Sequence, residues 1–131
     1  MTNTLTQADL DQFYGDIKRY QHLLNSKVIY TPGIRYLADQ GQAYWLIDAI
    51  ATYLGSARMR QAIKQDSRIA SMQFWRLEVV NSQGVLTAEA DAGVTPFVQQ
   101  AIGHTDFPLE RVDIWAAYDG LYWTLYLPSE H

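Results

Sequence analysis

The order of apolar and polar positions divides the chain into a helical first half and a β-rich second half. Apolar residues recur at spacings of three and four near the start, which predicts an amphipathic helix over residues 7–24. The apolar stripe of this helix consists of Leu10, Phe13, Ile17, Tyr20 and Leu24. Thr6 is placed to cap the helix, and Asp9 lies in the first turn, where a negative charge is favourable.

Three shorter helices are predicted to follow, over residues 32–39, 42–54 and 56–66. Pro32 suits the first position of a helix, and Gly55 is placed to end the second of the three in a left-handed conformation. The third is the least apolar, and its expected core contacts are Met59 and Ile63.

The hydrophobic period changes to two in the second half, where β-branched and aromatic residues are frequent. A first strand is predicted over 73–79, with Trp75 and Leu77 on one side. A second strand follows the polar turn at 81–84, and a third is predicted over 96–102.

The last hairpin is predicted from Asp119-Gly120, a favoured two-residue turn. The turn predicts a register in which the paired positions are Tyr118 and Leu121, Ala116 and Trp123, Ile114 and Leu125, and Val112 and Leu127. In this register Trp115 and Tyr122 lie on the opposite face of the hairpin.

The order of these elements predicts an α+β fold, with the N-terminal helices packed on one face of an antiparallel β-meander of four to five strands. No linker, repeat or low-complexity segment interrupts the sequence, so residues 1–131 are interpreted as a single domain. A chain of this length buries roughly two thirds of its unfolded surface. It contains no cysteine, which excludes disulfides, thiolate metal sites and cysteine nucleophiles.

The charge balance argues against a nucleic-acid partner, because 10 Lys and Arg face 14 Asp and Glu, a formal charge of −4. The one basic stretch, residues 58–68, is interpreted as a solvated helix face, with a phosphate site as the alternative. No secretory signal and no run of about twenty apolar residues is present, so a cytoplasmic protein with no membrane partner is expected.

Four strings of the sequence carry a family resemblance. They are YTPGIRYLA at 30–38, AYWLIDAIA at 43–51, TDFPL at 105–109 and LPSE at 127–130. With them the chain resembles a bacterial domain family of unknown function, DUF6876, from about residue 13 to the end, and less closely at 56–70 and 91–100. The resemblance implies an intracellular single domain with no established activity, and it names no catalytic residue.

Five residues form a candidate pocket: Tyr36, Tyr44, Asp48, His104 and Asp106. Asp106 is placed to orient the His104 imidazole, but it precedes Pro108 and is equally suited to form a turn. Asp48 is the one charge in its helix and acts either as a functional acid or as a polar contact to its helix neighbours. No metal site or cofactor is predicted, and since neither a Gly-x-Ser-x-Gly elbow nor a phosphate-binding loop occurs, enzymatic activity is left open.

Seventeen aromatic residues occur, and four of them form a candidate interface: Phe74, Trp115, Tyr122 and Tyr126. The alternation turns these rings away from the helices, where a sheet covered on one side should carry polar residues. Exposed apolar patches of this kind mark contact sites. The alternatives are a small second core under residues 91–96 or 104–110, and base stacking, which the acidic charge disfavours.

The sequence therefore predicts a non-catalytic interaction or regulatory domain that forms a homodimer or binds a protein partner through this face. The alternative is a small-molecule-binding protein or enzyme that uses a cleft between the helices and the sheet.

Overall fold

The computed structural model describes residues 5–13 and 18–131 and has an α+β architecture. In these residues the helices are α1 (Gln7–Asp11), α2 (Pro32–Gly41), α3 (Tyr44–Leu54) and α4 (Ala57–Gln65). The strands are β1 (Tyr20–Gln21), β2 (Val28–Tyr30), β3 (Met72–Val80), β4 (Gln83–Glu89), β5 (Val98–His104), β6 (Arg111–Tyr118) and β7 (Trp123–Tyr126). Two 3₁₀ turns lie at Ser67–Ala70 and Pro128–Glu130.

The described strands form one mixed sheet in the order β1-β2-β7-β6-β3-β4-β5. All neighbours are antiparallel except β2 and β7, which run parallel with Val28 opposite Trp123. The predicted α+β class is confirmed, but the predicted antiparallel meander of four to five strands is too small. It omitted β1 and β2, the two short strands at the β7 side of the sheet.

The predicted first helix is correct at its start, but α1 ends at Asp11 and residues 18–24 are not helical. The Thr6 side chain accepts a hydrogen bond from the Asp9 backbone N–H at 3.2 Å and so caps α1 as expected. Residues 14–17 of the predicted helix lie outside the described residues.

The end of the predicted first helix is replaced by strand and loop. Tyr20 lies in β1 and pairs with Tyr30, and Leu24 in the loop after β1 is 91% exposed. β1 pairs with β2, and β2 in turn pairs with the distant strand β7. Strand pairing therefore outweighs the helical spacing of apolar residues around Tyr20.

The three later helices are confirmed within a few residues of their predicted bounds. Thr31 caps α2 by accepting a hydrogen bond from the Ile34 N–H, and Pro32 occupies the first turn. The left-handed residue lies elsewhere than predicted: Gly55 has a φ of −92°, whereas Gln42, which ends α2, has a φ of 49°.

The core lies between the helices and one face of the sheet. The largest side chains buried from the sheet are Trp75, Leu77, Leu86, Ile114 and Leu125. Gln73, also fully buried, accepts a hydrogen bond from Trp75 Nε1 at 2.9 Å and donates one to the Ile69 carbonyl at 3.1 Å. These bonds satisfy the polar atoms that the core encloses.

The final hairpin keeps its predicted faces but not its predicted register. Tyr118 pairs with Trp123, not with Leu121, so the partner of each β6 residue is displaced by two positions, as when Ala116 pairs with Leu125. The pairings predicted for Ile114 and Val112 are therefore also wrong. A two-residue shift leaves the same residues on each face.

The register changes because the loop has four residues rather than two. The Asp119 carboxylate accepts hydrogen bonds from the Leu121 and Tyr122 N–H groups, both at 2.8 Å, and Gly120 has a φ of 99°. Tyr122 consequently lies in the loop and does not pair with Ala117 as predicted.

A buried carboxylate fastens the end of the chain to α2. Glu130 Oε1 accepts hydrogen bonds from the Thr31 hydroxyl at 2.6 Å and from the Leu127 N–H at 2.9 Å. A methyl group on Gly33 would lie 2.6 Å from the same oxygen, so a larger residue at this position would displace the Glu130 side chain.

Candidate functional site

Three aromatic rings lie in a row on the sheet face that points away from α3. Phe74 on β3 is opposite Trp115 on β6, and Trp115 is opposite Tyr126 on β7. The Phe74 and Trp115 centroids are 5.3 Å apart at 80°, and those of Trp115 and Tyr126 are 6.1 Å apart at 84°. These edge-to-face contacts are favourable for aromatic pairs.

His131 lies against two of these rings. Its ring is 5.2 Å from that of Trp115 and stacks 5.8 Å from that of Tyr126, and its Nδ1 is 2.9 Å from the Tyr126 hydroxyl. We call Phe74, Trp115, Tyr126 and His131 the aromatic cluster.

Burial differs between members of the aromatic cluster. Tyr126 is 9% exposed, and its burial raises the pKa of its hydroxyl, whereas Phe74 and Trp115 are only half-buried. The 104–110 segment, which was a predicted cover, instead buries Phe107 in the core beside Leu5 and Gly41. Two large rings of the cluster thus stay partly accessible.

Charged residues of both signs border the aromatic cluster on the same face. The Arg76 guanidinium donates to Asp113 at 2.9 Å, and the Arg111 guanidinium donates to the other oxygen of Asp113 at 3.0 Å. The hydrogen bond to Asp113 also raises the pKa of Arg76. Glu78 lies 3.9 Å from Arg76 and continues the row. The cluster therefore has a polar rim in which positive and negative charges alternate.

The structure does not assemble the five residues of the predicted pocket at one place. His104 and Asp106 line a depression of about 470 Å³ together with Gln40, Gln42 and Trp45. Asp48 lines another depression, of about 390 Å³. Trp45 is the residue that borders both depressions.

Each member of the predicted pocket has its own local partner. Tyr36 lies 5.2 Å from the Phe13 ring, and the Tyr44 hydroxyl donates to Asp39, which raises the pKa of Tyr44. His104 is 3.2 Å from Asp106, and its side chain is 75% exposed. The predicted orientation of His104 by Asp106 is therefore present, but at an open surface.

A buried histidine that the sequence analysis did not select holds Asp48. His22 Nε2 lies 2.7 Å from Asp48 Oδ1, with the histidine 8% and the aspartate 63% exposed. His22 Nδ1 accepts hydrogen bonds from the Leu24 and Asn25 N–H groups, so Nε2 carries the proton and donates it to Asp48. The two residues are 26 positions apart, and no spacing rule connects them.

This hydrogen bonding fixes the loop between β1 and β2 on α3. Asn25 Nδ2 donates to the Ala51 carbonyl at 3.0 Å, so the loop is bound to α3 at two points. On the other side of α3, the Tyr53 hydroxyl donates to Gln100 of β5 at 2.7 Å. The β1–β2 loop at one margin of the sheet and β5 at the other are therefore both hydrogen-bonded to α3.

Within residues 5–13 and 18–131, no three His, Asp or Glu side chains are grouped so that they could hold a metal ion. None of the helices described there has the length and apolar character that crossing a membrane requires.

Comparison with known proteins gives one result. A family model described as "Family of unknown function (DUF6876)" matches residues 4–131, which is nearly the whole chain. No curated protein and no solved structure matches.

Proposed function

The chain belongs to this family of unknown function, and we propose that it is a non-catalytic interaction domain that self-associates through the sheet face bearing the aromatic cluster. The observation that carries the proposal is the position of Phe74 and Trp115, two half-buried rings on central strands of a face that points away from the helical layer. Such a face is expected to be polar when it contacts only water.

The composition of the face resembles that of a protein interface. Interface cores are enriched in Trp, Tyr, Phe and Arg, and their rims are polar. The aromatic cluster supplies the rings, and Arg76 and Arg111 with Asp113 supply the rim. The half-buried rings lose their remaining contact with water if a second surface covers them, which is favourable in proportion to the apolar area removed.

The charges on the face favour a second copy as the partner. In a two-fold dimer the same surface serves both subunits and must complement itself. A surface of one sign repels its copy, whereas the alternating row of Glu78, Arg76, Asp113 and Arg111 allows opposite charges to meet across the axis.

The area of the face is also adequate. Five strands from β7 to β5 spaced about 4.8 Å apart, with about seven residues each, span roughly 24 by 23 Å, or about 550 Å² in projection. The accessible area of a surface with protruding side chains exceeds its projection, so the face is of the order of the ~800 Å² per partner in a standard interface.

The test is the mass in solution of a variant that adds a charge beside the aromatic cluster without removing a ring. Ala117 lies two residues after Trp115 on the same face of β6, and Ala117→Arg places a guanidinium there. Gln61→Arg, at an exposed position on α4 in the helical layer, adds the same charge away from the face.

Light scattering over a concentration series is expected to show that Ala117→Arg halves the assembled mass, whereas Gln61→Arg keeps the wild-type mass. The proposal is rejected if Ala117→Arg has the wild-type mass at every concentration, or if wild-type protein stays at 15.0 kDa throughout.

A further inference from the structure

We propose a second contact between copies of this chain, at the margin of the sheet: β5 pairs antiparallel with β5 of another copy, with Ala101 opposite Ala101 and α3 of each copy beside the other. This contact is separate from the one under Proposed function, and either can exist without the other.

The first observation is that β5 lacks the features that normally protect a sheet margin. It is a seven-residue strand with β4 on one side and no described strand on the other. Residues 98–104 contain no Lys, Arg, Asp, Glu or Pro. Natural margins are commonly blocked by charges, prolines or very short strands. The opposite margin, β1, has two residues and follows Lys18 and Arg19.

The second observation concerns the backbone of β5. In an antiparallel pair, alternate residues direct their N–H and C=O groups toward the neighbour and the others direct them away. The outward groups of β5 face solvent, since Gln99, Gln100, Ala101 and Gly103 are exposed. The surface that complements such a row of donors and acceptors is another strand.

The third observation is the side-chain pattern on α3 above this margin. Trp45, Ala49 and Tyr53 are spaced by four residues, so they form one stripe with a small residue between two aromatic ones. Tyr53 hydrogen-bonds to Gln100, and Trp45 lines the same depression as Ile102.

The pattern has an approximate two-fold centre. Tyr53 contacts Gln100, and Trp45 lines a depression with Ile102, so the two aromatic residues on either side of Ala49 lie by the two strand residues on either side of Ala101. A two-fold axis at Ala101 pairs Gln100 with Ile102 of the other copy and brings Tyr53 toward the other copy's Trp45. The two sheets then continue as one, and the small residues lie where the copies approach most closely.

This symmetry is the reason to name a second copy rather than a foreign strand as the occupant. A foreign strand needs only the unpaired backbone of β5, and the arrangement of Trp45, Ala49 and Tyr53 about Ala101 is then a coincidence. A second copy uses both the strand and the helix stripe in one contact, as an isologous interface requires.

The test uses the absence of cysteine from the chain, because one engineered cysteine is then the only thiol. In the proposed register residue 101 lies opposite its own symmetry mate, with Cβ atoms about 4.5–5.5 Å apart. Ala101→Cys is therefore expected to form a disulfide-linked dimer on mild oxidation.

Gln99→Cys is the matched control, on the same strand, the same face and with similar exposure. Its symmetry mate is displaced by four residues along the strand, about 13 Å, beyond the reach of a disulfide. We expect at least about fivefold more linked dimer from Ala101→Cys than from Gln99→Cys, since only the former satisfies disulfide geometry. Circular dichroism of both reduced variants confirms that each is folded.

Repeating the oxidation in the Ala117→Arg background separates the two proposals. Disulfide linkage of the Ala101→Cys variant that persists there supports a contact at the margin that does not depend on the sheet face. Loss of linkage in that background, or equal linkage at positions 99 and 101, overturns the β5 contact and leaves the sheet-face proposal to its own test.

Hydrogen exchange of the wild-type chain gives a second measurement that needs no variant. The outward β5 amides are expected to exchange more slowly as protein concentration rises, because pairing buries them. Exchange rates in β5 that do not change with concentration contradict the proposal.

Discussion

Removing the Glu130 carboxylate is expected to destabilise the whole fold, although the residue lies next to the end of the sequence. In Glu130→Ala the Thr31 hydroxyl and the Leu127 N–H lose the oxygen they donate to, at 2.6 and 2.9 Å. The N-terminus of α2 also loses a nearby negative charge, which is favourable at that end of a helix.

The magnitude follows from these two bonds. A buried hydrogen bond to a charged group contributes about 1.5–3 kcal/mol, so the two bonds amount to about 3 kcal/mol at the lower value. The charge at the helix end adds about 0.3–1 kcal/mol, and a loss of at least about 3–4 kcal/mol is expected. For 131 residues, an unfolding entropy of about 2.1 cal/mol/K per residue converts this loss into a fall in Tm of about 11–15 °C.

The assay is thermal unfolding followed by circular dichroism, with Glu130→Gln as the matched variant. Glutamine keeps an acceptor of the same shape but no charge, so it should cost about 1 kcal/mol and lower Tm by about 4 °C. The reasoning is refuted if Glu130→Ala lowers Tm by less than about 4 °C, or if glutamine is as damaging as alanine.

Two further predictions concern hydrogen bonds that the sequence did not indicate. Gln73→Leu leaves Trp75 Nε1 and the Ile69 carbonyl without these partners, so the free energy of unfolding in denaturant should fall by about 2–4 kcal/mol. Adding Trp75→Phe should recover part of this loss, because it removes the unpaired donor. The Asp119 carboxylate accepts hydrogen bonds from the Tyr122 and Leu121 N–H groups, and these bonds lower its pKa in the folded state. Its contribution to stability is therefore present above the unfolded pKa and is lost as the pH falls. Asp119→Asn should therefore unfold more easily than wild type at pH 7, and the difference should shrink as the pH falls below the unfolded pKa of about 4. A difference that stays constant as the pH is lowered below that value contradicts the assignment.

Local signals predicted most elements because they act between residues that are close in the sequence. Thr31 and Pro32 define the start of α2, and the alternation around Trp75 defines β3. The hairpin shows where such signals end: Asp119-Gly120 indicated a turn, but the two bonds accepted by Asp119 lengthened the loop by two residues. The predicted faces of β6 and β7 are nevertheless correct, because a register shift of two residues preserves the alternation of side chains.

The features that could not be predicted depend on contacts between distant parts of the chain. Helical spacing near Tyr20 and Leu24 was a genuine pattern, yet β2 gains its hydrogen bonds from β7, almost one hundred residues later. The His22 and Asp48 contact, and the failure of His104 to join Asp48, likewise depend on how α3 lies across the sheet. Of the candidate interface, Phe74, Trp115 and Tyr126 form a contiguous group, whereas Tyr122 moved into the loop.

The two histidine–aspartate pairs among the described residues are not arranged for acid–base catalysis. A general base needs a nitrogen or oxygen that can take a proton from a substrate. His22 has none left, because Nδ1 accepts two backbone N–H groups and Nε2 donates to Asp48. In a catalytic pair a buried aspartate orients a histidine that faces the substrate. Here the histidine is buried and the aspartate is exposed, so the arrangement is reversed. Its partners instead make His22 a structural bond between α3 and the β1–β2 loop. His104 and Asp106 lie at an open surface where water screens both, so this pair lacks the enclosed setting in which such groups become effective. The side chains of these two pairs thus either hold the fold or face solvent, so the proposals for this chain rest on the sheet face and the β5 margin rather than on these histidines.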